Sequence, residues 1–351
     1  MKPTRVLKID PQHIAVASIH EAAEVLRAGG LVAFPTETVY GLGANALDAC
    51  AVRRIFAAKE RPGYDPLIVH LAGAESLAGV ACRVPPVALR LAARFWPGPL
   101  TLVLPRGPRI PPEVTAGGET VAVRVPAHPV AQALIRAAGV PVAAPSANRF
   151  GRLSPTRAED VLADLDGRID LLLDGGPTPV GVESTVLSLV TPRPTILRPG
   201  GVSRESLESL LGRVAVLVQP VRLQEAAPSP GTLSQHYAPR AKLILYEGPR
   251  DALLAALRKE ALRLHGAGAR VGLLLASEDL FFFEGLPLIM RAAGPACDLE
   301  TVARQLFTTL RALDEADVEV ILARDFGAAG LGLAVRDRLT RAAGGKVVQV
   351  T

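Results

Sequence analysis

The segment FPTETVYGLG, residues 34–43, follows directly on the apolar run Gly30–Leu31–Val32–Ala33. An apolar run closed by Pro35 reads as a short buried strand, Leu31–Phe34. Its end is crowded: Thr36, Glu37 and Thr38 stand in succession, followed by Tyr40 and a turn with two glycines, Gly41 and Gly43. Threonines at a strand end are often no more than β-propensity and turn chemistry. Open α/β sheets also place their ligands at strand ends, so the remaining sequence has to decide between the two readings.

Working outward, helices are predicted at Ser18–Ala28 with Ser18 as N-cap, Asp48–Glu60, Pro86–Phe95, Val130–Ala138, Arg157–Leu165 and Arg204–Leu211. Strands are predicted at Pro66–Leu71, Leu100–Leu104, Val121–Val125, Val142–Ala144, Leu171–Asp174, Ser184–Val190 and Thr195–Arg198. They do not alternate strictly, which points to an α/β domain over 1–212 with a twisted mixed sheet and flanking helices. Periodicity is then lost in QPVRLQEAAPSPGTLSQHYAPR, so 213–240 reads as a linker, and its length suggests a lid over the site. Over 241–351, strands Lys242–Tyr246, Val271–Ala276 and Val318–Ala323 alternate with helices Asp251–His265, Leu299–Asp314 and Leu331–Ala343. That alternation predicts a smaller Rossmann-like three-layer domain.

With 351 residues and 49% hydrophobic content the chain can bury a sizeable core, and the composition argues against disorder. No apolar run has membrane-span length, and MKPTRVLKIDPQ lacks a signal-peptide core, so a cytoplasmic protein is expected. Cys50, Cys82 and Cys297 lie far apart in apolar stretches and read as buried free thiols, without a disulfide or zinc framework. A net charge of +5 fits an anionic ligand or nucleic acid but selects neither.

GxxxxGK[ST], GxSxG, HExxH and GxGxxG are all missing from the sequence. Five polar clusters remain, all in the first domain. They are Thr36–Glu37–Thr38 with Tyr40; Lys59–Glu60–Arg61 with Asp65 and His70; Thr120 with Arg124; Ser146 and Asn148 after the strand ending at Ala144, with Ser154 beyond; and Gly181–Thr185 with Arg198. Each alone has an ordinary explanation: cations near a helix C-terminus complement its dipole, a histidine closing a strand can be a core residue, and Ser and Asn cap turns. Arg124 and Arg198 resist it, because arginine on an apolar strand calls for an anionic partner. Together, Lys59, Arg61, Arg124 and Arg198 with several hydroxyls describe a site for a polyanion beside a small zwitterion. No covalent nucleophile is apparent, so catalysis there would rest on positioning and charge stabilisation.

The stretches GLVAFPTETVYGLGANA, KERPGYDPLIVHL, FWPGPLTLVL, TVAVRVPAHP, PVAAPSANRFGRLSPT, GVESTVLSL and ILRPGG together resemble the threonylcarbamoyl-AMP synthases, which have a YrdC-like fold. SPGTLSQHYAPR and the C-terminal region are similar to the long, two-domain form, so the resemblance covers nearly the whole chain. It implies a reaction joining L-threonine, bicarbonate or carbon dioxide, and ATP with Mg²⁺, releasing pyrophosphate. A downstream complex then transfers the threonylcarbamoyl group to tRNA. It further implies that Thr36, Thr38, His70, Arg124 and Ser184 hold threonine. Lys59, Arg61, Asp65, Thr120, Ala144, Ser146, Asn148, Ser154, Arg198 and Tyr237 would hold ATP, with Lys59, Arg61 and Arg124 catalytic and no metal held by protein ligands alone. Glu37 would be structural. One departure is Asp65, where many relatives carry asparagine.

Two other readings stay open at this point. A basic pI near 9.4 allows a weak tRNA contact, and it also allows an RNA-binding or regulatory module with a basic cleft, against which stands the 4% aromatic content. A relative that transfers carbamoyl or adenylyl groups to a protein is the other.

Overall fold

The computed structural model describes residues 3–217 and 237–351, so most of the expected linker and lid, including His236, lies outside the described residues. The chain divides into two compact units, Met1–Phe150 with Ser154–Leu233, and Gly151–Leu153 with Ser234–Thr351. Among the described residues no helix is long and apolar enough to cross a membrane.

The strands of the first unit are β1 (Arg5–Lys8), β2 (Val32–Phe34), β3 (Gly41–Asn45), β4 (Ile68–His70), β5 (Leu100–Pro105), β6 (Thr120–Arg124), β7 (Val142–Ala143), β8 (Leu171–Asp174), β9 (Thr185–Ser188), β10 (Thr195–Arg198) and β11 (Ala215–Val216). Its helices are α1 (Val16–Arg27), α2 (Ala49–Lys59), α3 (Pro86–Phe95), α4 (Pro112–Thr115), α5 (Pro129–Ala138), α6 (Ala158–Leu165) and α7 (Arg204–Leu211). The strands form one mixed sheet in the order β1-β8-β2-β3-β7-β4-β6-β5-β9-β10-β11. β4 runs parallel to β6 and β5 to β9, while β7 is antiparallel to β4 and β5 to β6.

Period-two alternation sorts the side chains between the two faces of this sheet. Val121, Val123, Leu102, Leu104, Val69 and Leu187 join the core built with α2, α3, α6 and α7. On the opposite face α1 and α5 pack against Val32, Phe34, Val142, Ala144, Leu171 and Leu173. Further along that face, Ile68, Val103, Ala122, Val186 and Leu197 form a small apolar cluster to which no helix contributes. The helical cover stops there, and the candidate site begins.

Three expectations are corrected. Gly41 and Gly43 belong to strand β3 rather than to a turn. A Cβ on Gly43 would come within 2.7 Å of the Phe34 ring and 2.8 Å of Val142, so glycine is required by close packing inside the sheet. Helix α1 starts at Val16 after Ala15, which makes no side-chain cap bond, so Ser18 sits inside the first turn. Its start follows the packing of Ile19, Ala22, Ala23 and Leu26 instead of a cap. All three cysteines are exposed: Cys50 lies on the outer side of α2, where Arg53 bonds its Sγ, and Cys82 and Cys297 fall in connecting segments.

The second unit has β12 (Lys242–Glu247), β13 (Val271–Leu275), β14 (Ile289–Ala292), β15 (Val320–Arg324) and β16 (Val347–Gln349), with α8 (Arg250–Gly266), α9 (Leu299–Glu315) and α10 (Gly332–Ala342). Its sheet is parallel throughout, in the order β14-β13-β15-β12-β16. Helix α8 packs on Val271, Leu273 and Leu275. Leu313 of α9 approaches the other face at Gly272, where a Cβ would lie 3.1 Å from it. The expected three-layer arrangement is therefore present, and β14 and β16 are additions to the predicted strands.

Candidate active site

The site lies on the sheet face that the helices leave uncovered. His70 pairs with Arg124 and Ile68 with Ala122, so all four point to that face. Thr120 opens β6 on the same face, and Val103 pairs with Ala122 from β5. The apolar cluster thus forms a floor, with His70 and Arg124 at one end and Thr120 at the other. Because β7 is antiparallel to β4, the segment from Ala144 to Asn148 leaves the sheet at the Thr120 end; the Ala144 N–H donates to Ile68 O.

Arg124 is buried and reaches Thr36–Thr38 just past the end of β2. Its Nη1 donates to Thr38 Oγ1 at 3.0 Å, its Nε to Gly98 O at 3.3 Å, and its Nη2 pairs with Glu37 Oε1 at 2.6 Å. A guanidinium has five N–H donors, so donors remain for a ligand. The second Glu37 oxygen accepts the Ala127 N–H at 3.0 Å, which fixes the carboxylate from both sides. Thr36 Oγ1 bonds Thr38 Oγ1 at 2.8 Å and the Val39 carbonyl at 2.6 Å. His70 is buried beside Arg124, and its ring meets Phe34 edge to face at 6.3 Å. Burial first, and the Arg124 charge second, pull its imidazole down to about 3, so it is neutral at physiological pH.

Helix α2 delivers the cations of the second cluster. Asp48 caps its start, accepting the Cys50 and Ala51 N–H groups. Glu60, in the left-handed conformation at φ 54°, ends it and turns the chain toward Arg61. Lys59 is 1% exposed, and its Nζ donates to the carbonyls of Ser146, at 2.6 Å, and Asn148. Burial, with Arg61 adding to it, pushes its ammonium well below the usual lysine range. Arg61 pairs with Asp65 at 2.8 Å and donates to the carbonyls of Asp65 and Pro66. Both side chains of this pair are buried, so the unexpected acid at position 65 has a specific basic partner.

Ser184 and Arg198 meet at the Arg124 end. Arg198 Nη2 donates to Ser184 O at 2.9 Å and to its Oγ at 3.2 Å, and Ser184 Oγ also bonds Thr101 Oγ1 at 2.8 Å. Gly200 lets this loop close: a Cβ there would lie 2.3 Å from the Glu183 carbonyl oxygen and the Ser184 carbonyl carbon. Ser154 Oγ donates to buried Glu183. Tyr237 is buried within the second unit, its ring 5.8 Å from that of Phe307 and 4.9 Å from the Arg338 guanidinium.

The structure therefore joins Thr36, Thr38 and Arg124 in one hydrogen-bonded group with His70 beside it, Ser184 and Arg198 in a second, and Lys59, Ser146 and Asn148 in a third. It adds Thr101, which the sequence reading passed over. In LTLVL, residues 100–104, the threonine is the one polar residue of an alternating run, a sign that its face does not belong to the main core. Arg61 and Arg124 already carry buried carboxylate partners.

Comparison with known proteins agrees with this architecture. A family model described as "Telomere recombination" matches residues 24–200, and one described as "Threonylcarbamoyl-AMP synthase, C-terminal domain" matches residues 202–344. Threonylcarbamoyl-AMP synthase of Bacillus subtilis is 46% identical over 97% of this chain and 95% of its own length. The Pyrococcus abyssi protein of the same name is 45% identical over 95% and 96%. A crystal structure of P. abyssi Sua5 complexed with L-threonine superimposes with a TM-score of 0.93 at 43% identity, covering 99% of this chain and all of that one. The chain belongs to the threonylcarbamoyl-AMP synthase family.

Proposed function

We propose that the chain condenses L-threonine, bicarbonate or carbon dioxide, and ATP to threonylcarbamoyl-AMP and pyrophosphate, for threonylcarbamoyl modification of tRNA in the cytoplasm by a downstream transfer complex. The chain is an enzyme of the nucleotidyltransferase kind, as its near full-length relatives are. The observation that carries the finer reading is the sheet face with Arg124, Thr38 and neutral His70 at one end and the Lys59–Ser146–Asn148 group at the other. One end suits a small zwitterion with a hydroxyl, as threonine is, and the other suits phosphates.

In this reading the spare donors of Arg124 take the threonine carboxylate, while Thr36, Thr38, Ser184 and neutral His70 orient its hydroxyl and amine. The neutral amine adds to carbon dioxide and loses a proton, giving a carbamate. A carbamate oxygen attacks the α-phosphorus, and pyrophosphate leaves. Arg61, Thr120, Ala144, Ser146, Asn148, Ser154, Arg198 and Tyr237 are the proposed ATP contacts, with Asp65 acting beside Arg61. Lys59 is a further proposed ATP contact and shapes the Ser146–Asn148 segment through its bonds to the two carbonyls. Orientation of this kind contributes roughly 7–11 kcal/mol without a covalent intermediate. Among the described residues no group of three or more His, Cys, Asp or Glu could hold a metal. A Mg²⁺ ion carried on the ATP phosphates would neutralise part of their charge.

Pyrophosphate release in mixtures lacking one substrate at a time tests the reading. Release that needs threonine, bicarbonate and ATP together is expected; release that ignores threonine or bicarbonate contradicts it.

A further inference from the structure

Helix α9 carries Phe307, Arg311 and Asp314 at the spacing that puts all three on one face. Each of them reaches a segment distant in sequence. The Phe307 ring packs 5.8 Å from that of Tyr237, which also lies 4.9 Å from the Arg338 guanidinium. Asp314 accepts the N–H groups of Arg240 at 2.8 Å and Ala241 at 3.1 Å. Arg311 Nη2 donates to the Leu153 carbonyl, 158 positions away, at 2.6 Å.

Leu153 belongs to the short segment Gly151–Leu153, which is grouped with the second unit although the residues on either side of it in sequence are grouped with the first. A second bond holds the same segment: the Ala238 N–H donates to the Gly151 carbonyl at 2.8 Å. Tyr237, just before Ala238, is left-handed at φ 61°. A bulky residue keeps that conformation only where its surroundings impose it, and here the ring is buried against Phe307 and Arg338. Gly151–Leu153 sits in the middle of Asn148–Ser154, both ends of which are proposed to contact ATP. Those ends are bonded in turn, Asn148 through its carbonyl to Lys59 and Ser154 through its hydroxyl to Glu183. Fixing an arginine on one remote carbonyl costs rotamer entropy that a solvated surface arginine keeps, and the proposed reaction gives Arg311 no part.

We propose that Arg311 is a positioning residue for ATP: by holding the Leu153 carbonyl with a charge-assisted bond it sets the place of Ser154, the next residue, and so the affinity for the nucleotide. It acts through Ser154 and does not touch the substrate. This rests on the placement of ATP proposed above.

Steady-state pyrophosphate release by the full-length chain, with ATP and threonine varied in turn, tests it in Arg311→Met, Arg311→Lys and Ser154→Ala. Loss of a bond donated by a charged group should raise the KM for ATP about tenfold in Arg311→Met, while the KM for threonine stays at the wild-type value. Arg311→Lys keeps a charged donor and should recover part of the loss. Because both residues act on one contact, Arg311→Met should add little to Ser154→Ala in the double variant. If Arg311→Met does not fold, Arg311→Gln, which keeps the polar end of the side chain, gives the same comparison. A raised KM for ATP in Ser154→Ala beside a wild-type value in Arg311→Met overturns the proposal alone. Equal rises of both KM values in Arg311→Met show general disruption and overturn it too. A wild-type KM for ATP in Ser154→Ala removes Ser154 from the ATP site, and the proposal falls with that placement.

Discussion

Replacing Glu37 with glutamine tests how the threonine end is held together. The Glu37 carboxylate pairs with Arg124 at 2.6 Å and accepts the Ala127 N–H at 3.0 Å, with side-chain exposures of 8% for Glu37 and 4% for Arg124. Glutamine keeps the shape but supplies only one acceptor oxygen and no charge. One of the two bonds is lost, and a buried guanidinium is left without its counter-ion. Breaking a buried pair from one side costs about 3–5 kcal/mol; the bonds of Arg124 to Thr38 and Gly98 place the expected loss at the lower end. Freed from Glu37, Arg124 no longer presents its remaining donors in one direction. The KM for threonine should therefore rise at least tenfold, about 1.4 kcal/mol, while the KM for ATP changes little. Steady-state pyrophosphate release with each substrate varied in turn, and urea unfolding of both proteins, give the two numbers. Equal stability and an equal threonine KM in Glu37→Gln and wild type would refute the clamp. Equal rises in both KM values would show general disruption instead.

Three further outcomes are expected. Lys59→Ala strands the Ser146 and Asn148 carbonyls and Arg61→Ala strands Asp65; each should cut adenylate formation tenfold or more, about 1.4 kcal/mol or greater in transition-state stabilisation, and wild-type turnover in both removes them from the ATP site. Serine, lacking one methyl, should be a poorer substrate than threonine by roughly 1 kcal/mol, and valine much poorer, because it lacks the hydroxyl that the group around Thr36 and Thr38 is proposed to hydrogen-bond; equal turnover of valine and threonine contradicts hydroxyl recognition. His70 is held neutral in the folded chain down to about pH 3, whereas in the unfolded chain it takes up a proton below its ordinary value near 6.5. Its contribution to stability is complete above that value and falls by about 1.4 kcal/mol per pH unit below it, so the wild type should lose about 2 kcal/mol more than His70→Gln between pH 7 and pH 5 in urea unfolding.

The strong periodic elements were legible in the sequence. Helices α3 and α7 and strands β8 and β10 fall on the predicted residues, because prolines, glycines and polar clusters bound them. Strand β3 was hidden, since GLGAN has the composition of a turn; its glycines make sense only once the Phe34 ring lies over the strand. The cysteines misled because apolar neighbours in sequence do not fix which side of a helix start or loop meets solvent. At the site, arginine on apolar strands gave away Arg124 and Arg198, and family motifs supplied the grouping. What no local pattern carries is pairing at a distance. That Arg124 is clamped by Glu37, that Thr101 bonds Ser184, and that Lys59 grips two carbonyls nearly ninety positions away all depend on sheet register.

In the proposed reaction one sheet face brings threonine, a one-carbon unit and ATP together. The most direct measurement uses ¹³C-bicarbonate with ¹⁵N-threonine and ATP, and mass spectrometry of the nucleotide product. One AMP-containing species carrying both labels is expected with the wild type, reduced at least tenfold, about 1.4 kcal/mol, in Arg124→Ala. A nucleotide product that carries neither label, or the ¹⁵N label without ¹³C, would contradict it.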